Sequence, residues 1–324
     1  MTTHPELLTP AFRALSARLG QDPLQVQGPG GNTSIKSDSV MWIKASGTEL
    51  AAAETDSIFV AVDRVAAMAE AHGTAGDGSC RTTTLDPDVT LRPSIETTFH
   101  AILDHKVVAH THSVATLVHA ICPDGRVAAQ DKLAGLPMAT VPYAKPGLPL
   151  TRQIMARVDS ATQVIILENH GLICCGASVA EVSDLIAEVE RRLSLPAADV
   201  RAPVPEQAPP DGFAWSGYGW LARDPQAMNR VTAGSFYPDH VVFLGPALPR
   251  KDHAAAPPAL LIDGQGVALR TTATDSQRAM LRCLSDVLSR VPDDWTPTPI
   301  GAEAEAELLN WNAEKYRQAL AARR

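Results

Sequence analysis

The sequence predicts an α/β protein carrying a second, smaller α+β module, and three observations support that expectation. Up to residue 195, segments with helical apolar spacing alternate with short strand-like runs. A proline-rich stretch with Pro196, Pro203, Pro205, Pro209 and Pro210 then disfavours helix and central strand alike. Beyond it, a shorter piece mixes strand-like runs with two helical ones. The expected divisions are a main domain at 1–195, a linker at 196–212 and a module at 213–324.

Phe12, Leu15 and Leu19 recur at helical spacing before Gly20, which predicts a helix over 5–19. The period then changes. Strands at 33–36 and 40–44 flank the turn residues Ser37, Asp38 and Ser39, a third strand follows at 58–62, and a short helix starts at Asp63. The small, polar and glycine-containing stretch 73–88 reads as loop. From Pro93, a helix carries Ile95, Phe99, Ile102 and Leu103 on one face, with Glu96 in its first turn. A buried strand at 106–111, a helix at 114–121 and a buried strand at 164–167 come next, the last running into Glu168-Asn169-His170-Gly171. Another strand at 172–175 precedes Ser178 and Glu181, which have capping-box spacing, and Val182, Leu185, Ile186, Val189 and Leu193 form the face of a closing helix. In the second module, strands are expected at 241–244, 260–262 and 267–270, and helices at 275–289 and 302–321.

With 324 residues and 45% hydrophobic content, the chain can bury a core without disulfide or metal staples. A net charge of −8 excludes a basic nucleic-acid footprint. No run approaches the ~18 apolar residues of a membrane span, and the first ten residues lack the pattern of a secretory leader, so a soluble, cytoplasmic chain is expected. The five cysteines have no C-x-x-C spacing and read as reduced, buried thiols.

His110 and His112 stand two apart in a predicted strand, so both leave one face with Cα atoms roughly 6.6 Å apart. His170 ends a different buried strand. Three imidazoles suit zinc, and a three-ligand site keeps a position open for substrate. Taken singly, each residue has a plainer reading: a lone histidine is more often a hydrogen-bonded core group, and a glutamate such as Glu96 is favoured in a helix first turn by the macrodipole. The cluster Gly28-Pro29-Gly30-Gly31-Asn32 lacks the spacing of both common nucleotide-binding loops and precedes a strand, which leaves an anion nest as its functional reading. Ser46, Gly47 and Ser94 are further small donors.

Five motifs together give the sequence a resemblance to a known family: GGNTS from Gly30, KASG from Lys44, RPSIETTFH from Arg92, VAHTHS from Val108 and ENHGL from Glu168. In their order and spacing the chain resembles the class II aldolase/adducin family over residues of about 10 to 195. The form P-S-I-E and the trailing module look closest to the aldolase part of bifunctional rhamnulose-1-phosphate aldolase/dehydrogenases and their standalone relatives. The resemblance implies an α/β/α fold around a mostly antiparallel central sheet, and a homo-oligomer, commonly a fourfold-symmetric tetramer with active sites between subunits. It assigns metal ligation to His110, His112 and His170, and acid/base catalysis to Glu96. Substrate phosphate binding is assigned to Gly31, Asn32, Ser46, Gly47 and Ser94. Ile95 stands where fuculose-phosphate aldolases have a second serine, which removes one phosphate donor.

The expected activity is therefore metal-dependent retro-aldol cleavage of a ketose 1-phosphate or related sugar. The cofactor is a divalent ion, zinc first and manganese or cobalt as alternatives, holding the charge of an enediolate. Glu96 moves the proton at the donor carbon, which calls for a raised pKa. Tyr143 and Tyr237 are candidates for the second acid/base. The alternatives are a sugar-phosphate epimerase, dehydratase or decarboxylase, or a non-catalytic adducin-like binding protein. A Schiff-base mechanism through Lys44 is a separate route, set against an ordinary solvated lysine.

Overall fold

Seven strands form the central sheet: β1 Asn32–Lys36, β2 Val40–Lys44, β3 Phe59–Asp63, β4 Val107–Thr111, β5 Met138–Val141, β6 Val164–Leu167 and β7 Gly171–Gly176. Their order is β3-β2-β1-β4-β7-β6-β5, and every pairing is antiparallel except β5 with β6. The computed structural model describes residues 2–200, 205–251 and 256–323; residues 201–204 of the expected linker lie outside these.

The near-continuous apolar runs of β4 and β6 require cover on both faces, as for any strand without a polar side. Alternation divides them. Val107, Ala109, Val164 and Ile166 pack with Phe12 and Leu15 of helix Pro10–Gln21 and with Val182, Ile186 and Val189 of helix Val179–Leu193. Val108 and Ile165 point the other way, into a cluster with Phe99, Leu150 and Ile154 from helices Thr97–Ile102 and Leu148–Met155. The result is the α/β/α layering expected from the motifs. Each fully buried Val, Ile or Leu contributes about 1.5–3 kcal/mol relative to exposure. All five cysteines are free and buried.

The remaining strands, β8 Phe213–Trp215, β9 Ala259–Ile262 and β10 Gly266–Arg270, form a separate antiparallel sheet in the order β8-β10-β9. The C-terminal part shares a core with the first. Val114, Leu117 and Val118 of helix Val114–Ala120 are buried with Tyr237, Val241, Leu281 and Leu284.

Several expectations need correction. Residues 241–244 are not a strand but the end of helix Pro238–Leu244. Pro238 at its first position and Gly245 just past its end, at φ 92°, are the helix signals that outweigh the β-forming run Val241-Val242-Phe243. The single helix expected over 302–321 is two, Ala302–Asn310 and Asn312–Ala321, separated by Trp311 in an extended conformation. The helix expected from Pro93 starts at Thr97, so Glu96 stands at its N-cap position instead of inside the first turn. At the closing helix, Ser178 Oγ accepts from the Glu181 N–H at 3.2 Å, while the Glu181 carboxylate accepts from the Ala177 N–H at 2.8 Å.

Candidate metal centre

The sheet register builds the site. Asn32 on β1 lies opposite His110 on β4, and His110 lies opposite Ile173 on β7. His112 follows β4 by one residue, and His170 immediately precedes β7. That strand starts hard against its neighbour: a Cβ on Gly171 would lie 2.4 Å from the Thr111 carbonyl oxygen. Asn169 adopts the left-handed conformation at φ 54°, which swings His170 toward β4.

Each of His110, His112 and His170 offers a ring nitrogen such that all three lie within 4.8 Å of one another, and all three residues are buried. The His110 Nδ1–H donates to the Leu172 carbonyl at 3.0 Å, which leaves Nε2 as the bare nitrogen. That nitrogen is 3.5 Å from Glu96 Oε2, and His170 Nε2 is 3.5 Å from Glu96 Oε1. His110 Nε2 and Glu96 Oε1 are buried without a hydrogen-bond partner. An unpaired buried imidazole nitrogen beside an unpaired carboxylate oxygen, with two more imidazoles in reach, fits a divalent cation, whose ligands are neutral imidazoles and oxygen anions.

Burial pushes His170 down to about 3 against the pull of Glu96, and lowers His110 as well, so both rings are neutral as ligation requires. Glu96 behaves differently from expectation. Burial raises its carboxyl pKa, but His110, His170, the Asn32 amide and His112 together draw it below the ordinary value. That direction is the opposite of the raised pKa that a poised acid/base calls for.

A hydrogen-bond chain orients that carboxylate. Ser34 Oγ bonds His100 Nδ1 at 2.7 Å, His100 Nε2 bonds Asn32 Oδ1, and Asn32 Nδ2 donates to Glu96 Oε2 at 2.8 Å and to Ser94 Oγ at 3.2 Å. Burial, then Lys36 and His110, hold His100 well below its usual range. A neutral His100 accepts from Ser34 and donates to the Asn32 oxygen, which fixes the Asn32 amine toward Glu96. His100 lies inside a motif noted in the sequence, but nothing in spacing alone marks its role.

Gly31, Asn32, Ser46, Gly47 and Ser94 line one pocket together with Glu96, His112 and His170. The same pocket contains two residues that sequence reasoning missed, Asp239 and Arg317 of the C-terminal part. Asp239 Oδ2 is 3.3 Å from His112 Nδ1, and the Arg317 guanidinium contacts Asp239 at 2.9 and 3.2 Å and Glu314 at 2.8 Å. Burial opposes the Asp239 anion, but Arg317 and His112 hold its carboxyl far below the usual range. Burial, only partly offset by Arg317, pushes Glu314 up to about 7. Leu320 covers Gly47: a Cβ there would lie 2.4 Å from Leu320 Cδ1. The space left in the pocket is about 20 Å³, room for about one water.

Lys44 lines the pocket but is not the solvated lysine of the plainer reading. Its buried ammonium donates to the carbonyls of Pro29 at 2.9 Å and Thr48 at 2.7 Å, tying the glycine loop to the 46–48 turn. Burial, then Arg317, lowers its pKa to about 7. Neither candidate tyrosine lines the pocket among the described residues. The Tyr237 hydroxyl donates to Cys283 Sγ at 3.4 Å inside the shared core. The Tyr143 hydroxyl is buried without a partner, and burial followed by Glu307, Glu305 and Glu314 raises its pKa.

Residues 13–195, more than half of the chain, match the model of the class II aldolase and adducin N-terminal domain. The chain belongs to that family. A curated relative, an uncharacterized oxidoreductase, YuxG, of Bacillus subtilis, is 29% identical over 176 residues, which cover 49% of this chain and 25% of the relative. The match thus spans about a quarter of that protein's length. Among solved structures, the N-terminal class II aldolase domain of a conserved Thermoplasma acidophilum protein is 27% identical over 56% of this chain and 89% of its own, with a TM-score of 0.48. A sugar-phosphate aldolase from Thermotoga maritima is 14% identical over 56% of this chain and 90% of its own, with a TM-score of 0.39. No helix among the described residues is long and apolar enough to cross a membrane.

Proposed function

We propose that the protein is a divalent-metal-dependent lyase that reversibly cleaves, by retro-aldol chemistry, the bond between the carbons α and β to the carbonyl of a ketose 1-phosphate. The observation carrying this reading is the meeting of three buried imidazoles, two of which, His110 and His170, place a ring nitrogen 3.5 Å from the Glu96 carboxylate. His110, His112 and His170 would hold the ion, zinc before manganese or cobalt for a nitrogen donor set. When bound, it supplies Lewis-acid stabilisation of negative charge developing on substrate oxygens.

The chain's own residues do the rest. Glu96 takes and returns the proton at the donor carbon, and the Ser34–His100–Asn32 chain keeps its carboxylate aimed. Ser46, Gly47, Ser94 and the glycine loop at Gly31 offer small donors for the substrate's anionic end. Asp239 and Arg317 restrict the pocket and exclude water, so a substrate displaces side chains of the C-terminal part or enters with only its reacting end. The active form is a homo-oligomer, a tetramer first, working in the cytoplasm.

Metal analysis together with triose-phosphate release from a panel of ketose 1-phosphates, with and without chelator, tests the reading. Near-stoichiometric metal and chelator-sensitive release support it. Bound metal with an epimer, loss of water or carbon dioxide as the only product replaces cleavage by the corresponding reaction.

A further inference from the structure

Helix Asn312–Ala321, beyond the family-matched region, lines two cavities at once. Its Arg317 stands in the inner pocket of about 20 Å³, while its Asn312, Ala313 and Tyr316 line a neighbouring cavity of about 420 Å³. Ser46, Ile95 and Pro146 line both, so the two spaces adjoin along this helix. The helix is held differently from its neighbours. Glu314 and Arg317 are the residues it buries, whereas helix Asp275–Leu288 buries an apolar face that includes Met280, Leu281, Leu284 and Val287. Apolar burial is the main force that docks an element, and a buried ion-pair network such as Arg317 with Asp239 and Glu314 adds little beyond the cost of desolvating it. The remaining ties are partly exposed: the Tyr316 ring on Arg92 at 3.9 Å, the Gln318 amide on the Val242 carbonyl, and Leu320 against Gly47. Before the helix, the extended Trp311 interrupts the helical backbone, and its ring is anchored on Lys145 and against the shared core. An anchored, non-helical residue between two helices is the kind of position that absorbs a hinge rotation.

We propose that helix Asn312–Ala321 is a lid on the metal centre, hinged at Trp311 and latched by Arg317 on Asp239, and that a ligand reaches Glu96 and His170 only when it swings out. With the lid shut, the pocket has room for about one water, too little for any organic ligand. With the lid open, the inner pocket and its larger neighbour become one space. Closing over a ligand returns Arg317 and Asp239 to the site and excludes solvent from it. The lid rests on the proposed site as a ligand pocket, but on no particular reaction there.

The test combines hydrogen exchange with histidine modification by diethyl pyrocarbonate, both on the metal-free full chain. Amides of 315–321 should exchange as one unit, at least about 100-fold faster than those of helix Asp275–Leu288. The double variant Tyr316→Ala/Leu320→Ala removes two outer ties without changing a residue that lines the inner pocket. It should speed both lid exchange and the modification of buried His112 and His170 by a common factor of about tenfold or more, leaving exchange in helix Asp275–Leu288 unchanged. Lid amides that exchange as slowly as helix Asp275–Leu288 overturn the proposal. So does a variant with faster exchange and unaltered modification, since its helix frays without uncovering the site. Neither readout uses turnover, so a protein that follows this pattern but cleaves no ketose phosphate keeps the lid and loses the lyase reading.

Discussion

Asp239 Oδ2 lies 3.3 Å from His112 Nδ1, so a carboxylate from beyond the family-matched region contacts a candidate ligand within it. A carboxylate on one ring nitrogen fixes the imidazole tautomer and orientation for the other. Asp239→Asn should therefore weaken metal affinity by about 10–100-fold, measured by competition with a chromophoric chelator. Wild-type affinity in the folded variant would show that the contact only packs.

Glu96→Gln keeps the shape of the site and its bond to Asn32 while removing the proton acceptor. Metal stoichiometry should stay near wild type and kcat should fall by about 10²–10⁴. Full turnover would remove Glu96 from the reaction.

Asn32→Asp places a second carboxylate at the atom that now donates to Glu96 at 2.8 Å. A like charge disfavours ionisation, so the acidic limb of the kcat–pH profile should move to higher pH. A limb in its original place would assign that ionisation to another group.

Burial pushes the Glu314 carboxyl up to about 7 in the fold, above its ordinary value of 4.5. Because the folded pKa is the higher one, the native state binds more protons than the unfolded state between about pH 4.5 and 7. This group alone thus makes stability fall as pH rises through that window. Glu314→Gln should raise Tm at pH 8 more than at pH 5, and an equal change at both would contradict the buried-acid assignment.

Gly171→Ala puts a methyl against the Thr111 carbonyl, a backbone atom that cannot step aside. Destabilisation of about 1–3 kcal/mol is expected in chemical denaturation, with loss of metal retention as β7 and His170 shift.

The parts of the site legible in the sequence are those whose neighbours in space are set by strand register. His110 and His112 are two apart on one strand, and Asn32 meets them because β1 pairs with β4. Asp239 and Arg317 were not legible, since their contact joins residues 78 positions apart and no periodicity marks it. Val241-Val242-Phe243 favours strand locally, yet Pro238, Gly245 and burial against helix Val114–Ala120 decide for helix. The break at Trp311 was equally hidden, because an apolar stripe continues across it while the backbone does not.

Asn169 bears on where this protein can be cut. Its amide nitrogen donates to the carbonyls of Phe236 at 2.9 Å and Thr298 at 2.8 Å, and its oxygen accepts from Arg126 at 2.8 Å. A fragment ending where the family match ends, at residue 195, would leave that amide without acceptors next to His170 and strip the cover from Val114, Leu117 and Val118. The limit of kinship along the chain is therefore not a limit of independent folding, and any graft or truncation made at that point divides one hydrophobic core.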